Sequence, residues 1–392
     1  MTRILFLLSR FLDGGIDAVL LDYLRYLAQR SDYHITLAIS IHMGELEVFR
    51  KQIPEQVDVV YLVDQPALTR WRQQKITQRL PFYIKMYDEA ILSPIRRYMI
   101  GNKLHQLAKQ HDVVIDFDCC HYAYLKDVKT RKVAWFHFSF KQLMEQNARR
   151  TKRIGNHLRY YDRIVTISQA MLDEGKELFP WLEGRWRLIY NAKDEQLLQR
   201  RACESVGDPR LNGSYILAIE RLEESQKDLT TLIRAYKVLH EQYHHTEKLY
   251  LLGKGRDEQQ LRQLAQELCI SEHVVFLGFS SNPYPWIAHA KAIAHSAKFE
   301  GLPTVMIESL IMGKLIVATD CPTGPREILD NGQAGLLTPV GNAEALAEAL
   351  HRILTDESLQ AAILAHAKEY KRQFLFDHAG KLFDEVILND CQ

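Results

Sequence analysis

Two carboxylates, Glu300 and Glu308, stand eight positions apart in the stretch FEGLPTVMIESLIMGKLIVATDCPTGPREILDNGQAGLLTPVG, residues 299–341. Between them lie Gly301, Leu302, Pro303 and Thr304. Pro303 suits the first turn of a helix, where its missing N–H costs nothing. The spacing predicts a short helix over 304–312, with Gly313 at the position just past its end. Glu300 then sits in the loop before the helix and Glu308 about one turn inside it. The N–H groups of residues 301–304 point into the space beside Glu300, and a helix N-terminus favours anions, most often phosphate. A carboxylate beside such a site is suited to hydroxyl groups. Phosphate and sugar hydroxyls together describe a nucleotide sugar. The plain alternative is that both Glu belong to a solvated helix face.

The Glu-x7-Glu spacing, followed by MGKLIVATDCPTGPREIL and NGQAGLLTPVGN, resembles the retaining glycosyltransferases of family GT4. The resemblance runs through most of the C-terminal half and more thinly through the N-terminal half. It implies the GT-B fold: two Rossmann-like, doubly wound parallel-sheet α/β domains facing a cleft. The CPTGPREIL version resembles members that build bacterial lipopolysaccharide, capsule or lipid-linked oligosaccharide from UDP-sugars. In that family Glu308 would hold the ribose hydroxyls and Glu300 would contact the donor sugar. Backbone N–H groups of Gly301, Leu302, Pro303 and Thr304 are the stretch assigned to the departing diphosphate, although Pro303 itself carries no N–H.

Other positions acquire candidate roles through the same resemblance. Arg221 and Lys227 keep the family's spacing of six residues and would clamp the diphosphate, offsetting charge on the leaving group. Glu220 replaces the family's glycine, so its side chain must turn away from the phosphates or the donor fit differs. Gly14-Gly15 follows the first strand and reads either as a close backbone approach to a ligand, at Gly15, or as a tight turn. Gly253 and Gly255 would let a loop pass close to the nucleotide, and Leu277 and Phe279 would hold the base. His137, closing the strand Trp135-Phe136, would hydrogen-bond the sugar or steady developing charge, the alternative being a buried structural histidine. Ser168 matches a family serine, and Asn191-Ala192-Lys193-Asp194 matches the family's N-x-x-D segment. Asp116-Phe117-Asp118, with Cys119, Cys120 and His121, contains metal-ligand types, but lining an acceptor site suits it better than holding a metal. The resemblance implies no metal and no cofactor beyond the UDP-sugar donor.

These residues must be positioned by alternating strands and helices. Apolar runs at 4–8, 34–40, 57–63, 113–117, 133–137 and 164–168 predict parallel strands of a first domain. A helix over 16–28 follows the first. Strands at 215–219, 249–252, 274–277 and 292–296, with helices at 257–268 and 343–354, predict a second. Ligands in such sheets bind at the carboxyl ends of the strands. The polar run at 195–213 reads as a linker. The expected domains are therefore 1–195 for acceptor, 196–375 for the nucleotide-sugar donor, and a helix at 376–392 returning to the first domain.

A chain of 392 residues suits two domains. Residues 1–195 carry 30 Lys and Arg against 23 Asp and Glu, a balance of +7; residues 196–392 carry 20 against 26, a balance of −6. The halves are thus built for different partners. Residues 66–107 are basic with interleaved aromatics, a composition suited to an anionic membrane or an anionic acceptor, while most of their apolar positions are expected to cover the sheet as amphipathic helices. Arg149, Arg150, Lys152 and Arg153 would extend that basic surface. No nucleic-acid motif accompanies it. The cysteines at 119, 120, 203, 269, 321 and 391 show no framework spacing, which suits free thiols in a reducing cytosol.

The reading is a metal-independent retaining glycosyltransferase, moving a hexose or N-acetylhexosamine from a UDP-sugar to a glycolipid or oligosaccharide acceptor. It would work in the cytoplasm, peripherally on the inner face of the membrane. Rival readings are a sugar-nucleotide epimerase or glycogen-type synthase on the same fold, and a non-catalytic nucleotide-sugar-binding subunit. A dinucleotide-dependent dehydrogenase is disfavoured because no G-x-G-x-x-G is present.

Overall fold

The computed structural model describes residues 1–388; residues 389–392, including Cys391 and the end of the expected last segment, lie outside the described residues. The chain divides into two compact units. The first comprises Met1–Ile167, Met171–Ile189 and the chain from Gly380 onward; the second comprises Ser168–Ala170 and Tyr190–Ala379. The Asn191–Asp194 segment therefore belongs with the second unit.

The first unit is built on seven parallel strands: β1 (Thr2–Leu8), β2 (Tyr33–Ile41), β3 (Val57–Val63), β4 (Val113–Asp116), β5 (Arg131–Phe136), β6 (Arg163–Thr166) and β7 (Trp186–Leu188). Their order is β3-β2-β1-β4-β5-β6-β7. β1 lies between β2 and β4, with Ile4 opposite Ile35 on one side and Val113 on the other. Its run from Ile4 to Leu8 is buried on both faces, which is why it reads as a continuous apolar run rather than an alternation. Phe383 returns to this unit and packs near Phe6, Tyr23 and Trp135. Asp384 accepts from Arg30 at 2.8 Å and from Tyr33 at 2.8 Å.

The second unit has β8 (Tyr215–Ile219), β9 (Lys248–Leu252), β10 (Val274–Gly278), β11 (Ala292–His295), β12 (Ile316–Thr319) and β13 (Leu336–Thr338), ordered β10-β9-β8-β11-β12-β13. In both sheets the strand order reverses beside the first strand of the unit. In doubly wound sheets ligands generally bind at such a point, at the carboxyl ends. The residues leaving β8 and β11 are Glu220-Arg221 and Ser296 onward to Glu300.

Three expectations change. Residues 195–202 are not linker: Asp194 caps the helix Glu195–Ala202, accepting from the Leu197 N–H at 3.0 Å, and Leu198 is buried. Pro303 is the N-cap of the helix Thr304–Ile311 rather than a residue of its first turn. Most of the large apolar side chains between 82 and 98 are exposed, Leu92 being buried. Phe82 (78% exposed), Tyr83 (73%) and Tyr98 (75%) face solvent, as do Met86, Tyr87, Ile91 and Ile95. Arg96 (2%) and Asp88 are buried in their place, paired at 2.8 Å. An Arg on an amphipathic helix normally faces water; this one is turned inward by a buried carboxylate and by the Leu68 carbonyl, 2.8 Å away.

Candidate functional site

In the second unit four ionisable side chains meet where β8 and β11 end. Glu220 does turn away from the strand-end loop, into the interior: its Oε1 accepts from the Ser296 N–H at 3.0 Å and lies 2.9 Å from His295 Nδ1, close but without hydrogen-bond geometry. His295 Nε2 lies 3.4 Å from Glu300 Oε1, and the same oxygen is ion-paired with Lys227. Gln226 Nε2 donates to Glu300 Oε2 at 3.4 Å. The order is therefore Glu220, His295, Glu300, Lys227, alternating in charge potential and all largely buried. Burial raises the Glu300 pKa, but Lys227 and His295 outweigh it and hold it at about 2. The Lys227 ammonium is held above its ordinary value against burial by Glu300 and Glu220. Likewise His295 is raised against burial by Glu220 and, further off, by Glu300.

The signs of these shifts set a pH window. His295 has a raised folded pKa, so its contribution to stability is fully present below about 6.5 and is lost as pH rises through the folded value. Glu300 has a depressed one, so its contribution is present above about 4.3 and is lost as pH falls towards 2. Urea unfolding of the wild type should therefore show a stability decline on the alkaline side of about pH 6.5 that His295→Gln lacks. Parallel declines in the two proteins would show that His295 is not the titrating group.

Glu308 is held separately. Its Oε1 is 2.6 Å from Lys193 Nζ, and Tyr284 Oη donates to the same oxygen at 3.3 Å. All three side chains are buried. Both contacts fall on Oε1.

The loop between Glu300 and the helix is fixed by the CPTG segment. The Glu300 N–H donates to the Pro322 carbonyl at 3.1 Å, and Thr323 Oγ1 donates to the Glu300 carbonyl. Gly324 has φ +92°, and a Cβ there would stand 2.6 Å from Pro303 Cδ and 2.9 Å from the Gly301 carbonyl. Only glycine lets the two loops lie this close. Among the described residues no acceptor takes the N–H groups of Gly301, Leu302 or Thr304, so these donors remain open at the start of the helix Thr304–Ile311.

The description "Glycosyl transferases group 1" matches residues 205–370. The second unit carries a group 1 glycosyltransferase domain. Among curated relatives, the N-acetylgalactosamine-N,N'-diacetylbacillosaminyl-diphospho-undecaprenol 4-alpha-N-acetylgalactosaminyltransferase of Campylobacter jejuni is 32% identical over 54% of this chain and 56% of its own length. The lipopolysaccharide core biosynthesis glycosyltransferase LpsE of Rhizobium meliloti is 30% identical over 41% of this chain and 46% of its own length. The chain thus spans about half the length of these curated relatives in the matched region. In fold, HepE of Anabaena, solved with UDP and glucose, matches with a TM-score of 0.75 at 19% identity, over 99% of both chains. The two parallel-sheet units are a GT-B fold, and the resemblance read at 299–341 is borne out as a group 1 glycosyltransferase domain over residues 205–370.

Within the group 1 domain, Lys227 is not free at a strand end: it is seated on Glu300. Arg221 has a side chain 59% exposed, 3.5 Å from Glu223, and is loosely held. Gly253 sits against the loop that leaves β8. Its φ is +154°, and a Cβ would fall 1.9 Å from the Glu220 carbonyl, with Gly255 equally pressed on Leu222. These glycines admit the β8 loop and so place Glu220 and Arg221. Leu277 is half-buried; Phe279 is exposed under Lys254, whose Nζ lies 4.6 Å from the ring centroid. Sequence reasoning gave no role to Lys193 or His295. Lys193 stood inside the recognised N-x-x-D segment, and its place there was the available signal.

In the first unit, Gly14 caps the helix Gly15–Ala28 and its N–H donates to Asp17 Oδ2 at 2.9 Å; the space beside Gly15 is open. His137 is buried beside the Phe117 ring, and burial pushes its pKa down to about 3, outweighing a hydrogen bond to the Phe117 backbone. It is neutral at physiological pH, so it offers a hydrogen bond and no positive charge. Its Nε2 is buried without a hydrogen-bond partner. Asp116 does not line a site. It is wholly buried and accepts from Tyr161 Oη at 2.6 Å, His121 Nδ1 at 2.8 Å and the His121 N–H at 3.0 Å. Asp116, Asp118 and His121 do converge, with ligand atoms within 4.8 Å of one another, but those atoms already bind protein groups. Ser168 is fully buried in the second unit.

Proposed function

We propose that the chain is a retaining glycosyltransferase that moves a hexose or N-acetylhexosamine from a UDP-sugar to a lipid-linked, lipopolysaccharide or polysaccharide acceptor. The observation that carries this reading is the Glu300–Lys227 pair set beside the open N–H groups of Gly301, Leu302 and Thr304, with Glu308 one turn on. That arrangement offers a cation and backbone donors to a diphosphate, and carboxylate oxygens to hydroxyls. Glu308 Oε2 takes the ribose, Glu300 meets the donor sugar, and exposed Arg221 swings onto the diphosphate. As the sugar becomes oxocarbenium-like, charge develops on the departing UDP, and fixed donors there lower the barrier. With no nucleophile assigned, the acceptor attacks from the same face and the leaving phosphate takes its proton. No metal is required in this scheme. The UDP and glucose bound in HepE and the diphospho-undecaprenol in the name of the Campylobacter relative support a UDP-sugar donor and a glycolipid acceptor.

The test is a thermal-shift panel of UDP, GDP, ADP and CMP with and without EDTA. A ligand at 100 times its dissociation constant stabilises by about 2.7 kcal/mol. A UDP-selective shift that survives EDTA is expected, and Arg221→Ala should lower turnover roughly 10–100-fold. A shift that needs metal would return Asp116 and Asp118 to the mechanism; a shift with GDP or ADP alone would overturn the donor.

The exposed side chains of Phe82, Tyr83, Met86, Tyr87 and Tyr98, among Arg79, Lys85 and Arg97, support peripheral contact with an anionic membrane on the cytoplasmic face. No helix among the described residues is long and apolar enough to cross a membrane. Co-sedimentation with anionic liposomes should fall sharply in Phe82→Ser/Tyr83→Ser; equal binding would remove the surface from the scheme.

A further inference from the structure

The first unit holds a cavity of about 490 Å³ at the carboxyl ends of β1 and β2 and beside the turn after β4. Its wall carries Arg10, from the loop after β1, and Arg72 and Lys75, three residues apart on the helix Pro66–Thr77 and so on one face of it. The cations crowd one another. Burial lowers the Arg72 pKa first, and the neighbouring Arg96 and Arg10 charges lower it further. Asp88 opposes this, but Asp88 is shared: Arg72 Nε is 3.1 Å from its Oδ2 and Arg96 Nη1 2.8 Å from its Oδ1. Among the described residues Arg10 and Lys75 make no ion pair. His121 also lines the cavity; Asp116, 2.8 Å from its Nδ1, raises its pKa against burial, and burial raises that of Asp118. Asp88 and, more weakly, Glu89 act on Arg72, while Arg10 and Lys75 add two further cations to the same wall. Like charges gathered together cost stability, and such arrangements mark ligand sites.

We propose that this cavity is a subsite for a diphosphate ester, in which Arg10, Arg72 and Lys75 grip the phosphates and the apolar wall of Ile41, Ile76 and Ile100 meets the group esterified to them. Arg72 gives planar donors suited to phosphate oxygens, and Lys75 a mobile point charge. The inference rests on the reading of a lipid-linked acceptor and assigns its charged group a place; the donor machinery of the second unit is not involved.

Isothermal titration separates the two. Inorganic pyrophosphate, farnesyl diphosphate and farnesol are titrated into the full chain saturated with UDP, which occupies the donor site. Farnesyl diphosphate should bind more tightly than pyrophosphate, farnesol should not bind, and affinity should fall as salt rises. Arg10→Glu/Lys75→Glu should weaken both diphosphates at least tenfold while the UDP-induced thermal shift stays unchanged. Arg10→Gln/Lys75→Gln, milder at two exposed positions, should weaken them in the same direction. Undiminished diphosphate binding in both variants would overturn the subsite, as would loss of diphosphate binding on saturation with UDP. Equal affinity for farnesyl diphosphate and pyrophosphate would overturn the ester. If UDP fails to bind the wild type, the donor reading falls, while the difference between wild type and variants in pyrophosphate binding still decides the subsite.

Discussion

Lys227→Ala is expected to destabilise the second unit by about 3–5 kcal/mol and to lower turnover by roughly 10–100-fold or more. The substitution leaves Glu300 buried with His295 as its remaining cationic neighbour, 3.4 Å away rather than in ion-pair contact. A buried carboxylate stripped of its main counter-charge must stay charged at a high desolvation cost or take up a proton. The double variant Lys227→Ala/Glu300→Gln removes the charge from both partners and should recover most of the stability, as paired replacements generally do. It should recover none of the turnover, because the diphosphate still lacks its cation. Urea unfolding and steady-state rates on the same preparations separate the effects. Wild-type stability in Lys227→Ala would mean that the pair contributes nothing to the fold. Restored turnover in the double variant would mean that Lys227 only supports the loop.

A loss of similar size awaits Lys193→Ala. Its ammonium is 2.6 Å from Glu308 Oε1 in a dry setting shared with Tyr284, so removal should again cost about 3–5 kcal/mol. The functional signature differs from that of Lys227. Glu308 without Lys193 loses its fixed orientation, so the preference for UDP over 2′,3′-dideoxy-UDP should fall toward unity, while Lys227→Ala should weaken both nucleotides alike. An unchanged preference in Lys193→Ala, with the loss of stability confirmed, would detach Glu308 from ribose recognition.

Much of this was legible in the chain. The alternation of apolar strands and helices announced two doubly wound sheets, and β3 (Val57–Val63) and β8 (Tyr215–Ile219) lie where the pattern put them. The short strands β7, β12 and β13 span three or four residues, too few to carry a period. The helix after Glu300 and the cap at Asn342, which accepts from the Ala345 N–H at 2.9 Å, follow from local chemistry that a single turn contains. The helix Glu195–Ala202 escaped because its composition is polar, and a polar helix looks like a linker until its one buried face, at Leu198, finds a neighbour. The exposed Phe82–Tyr87 surface escaped for the opposite reason: apolar residues are presumed buried, and only packing shows that Arg96 took the inside instead.

By itself the sequence determined which residue types were present at which spacing, and so the two carboxylates, the helix that separates them and the glycines that flank them. Those are properties of contiguous chain, where backbone geometry ties residue to residue over a few positions. Only the tertiary structure decided what each side chain faces. Glu220 proved to be the far end of a buried charge chain through His295, 75 positions on in sequence, and Lys193 the counter-ion of Glu308 from a different element. Parallel strands bring together residues from distant crossovers, and a buried charge accepts whichever opposite charge the packing supplies. No local rule names that partner, because its position is set by the register of strands such as β8 beside β11 rather than by neighbours in the chain.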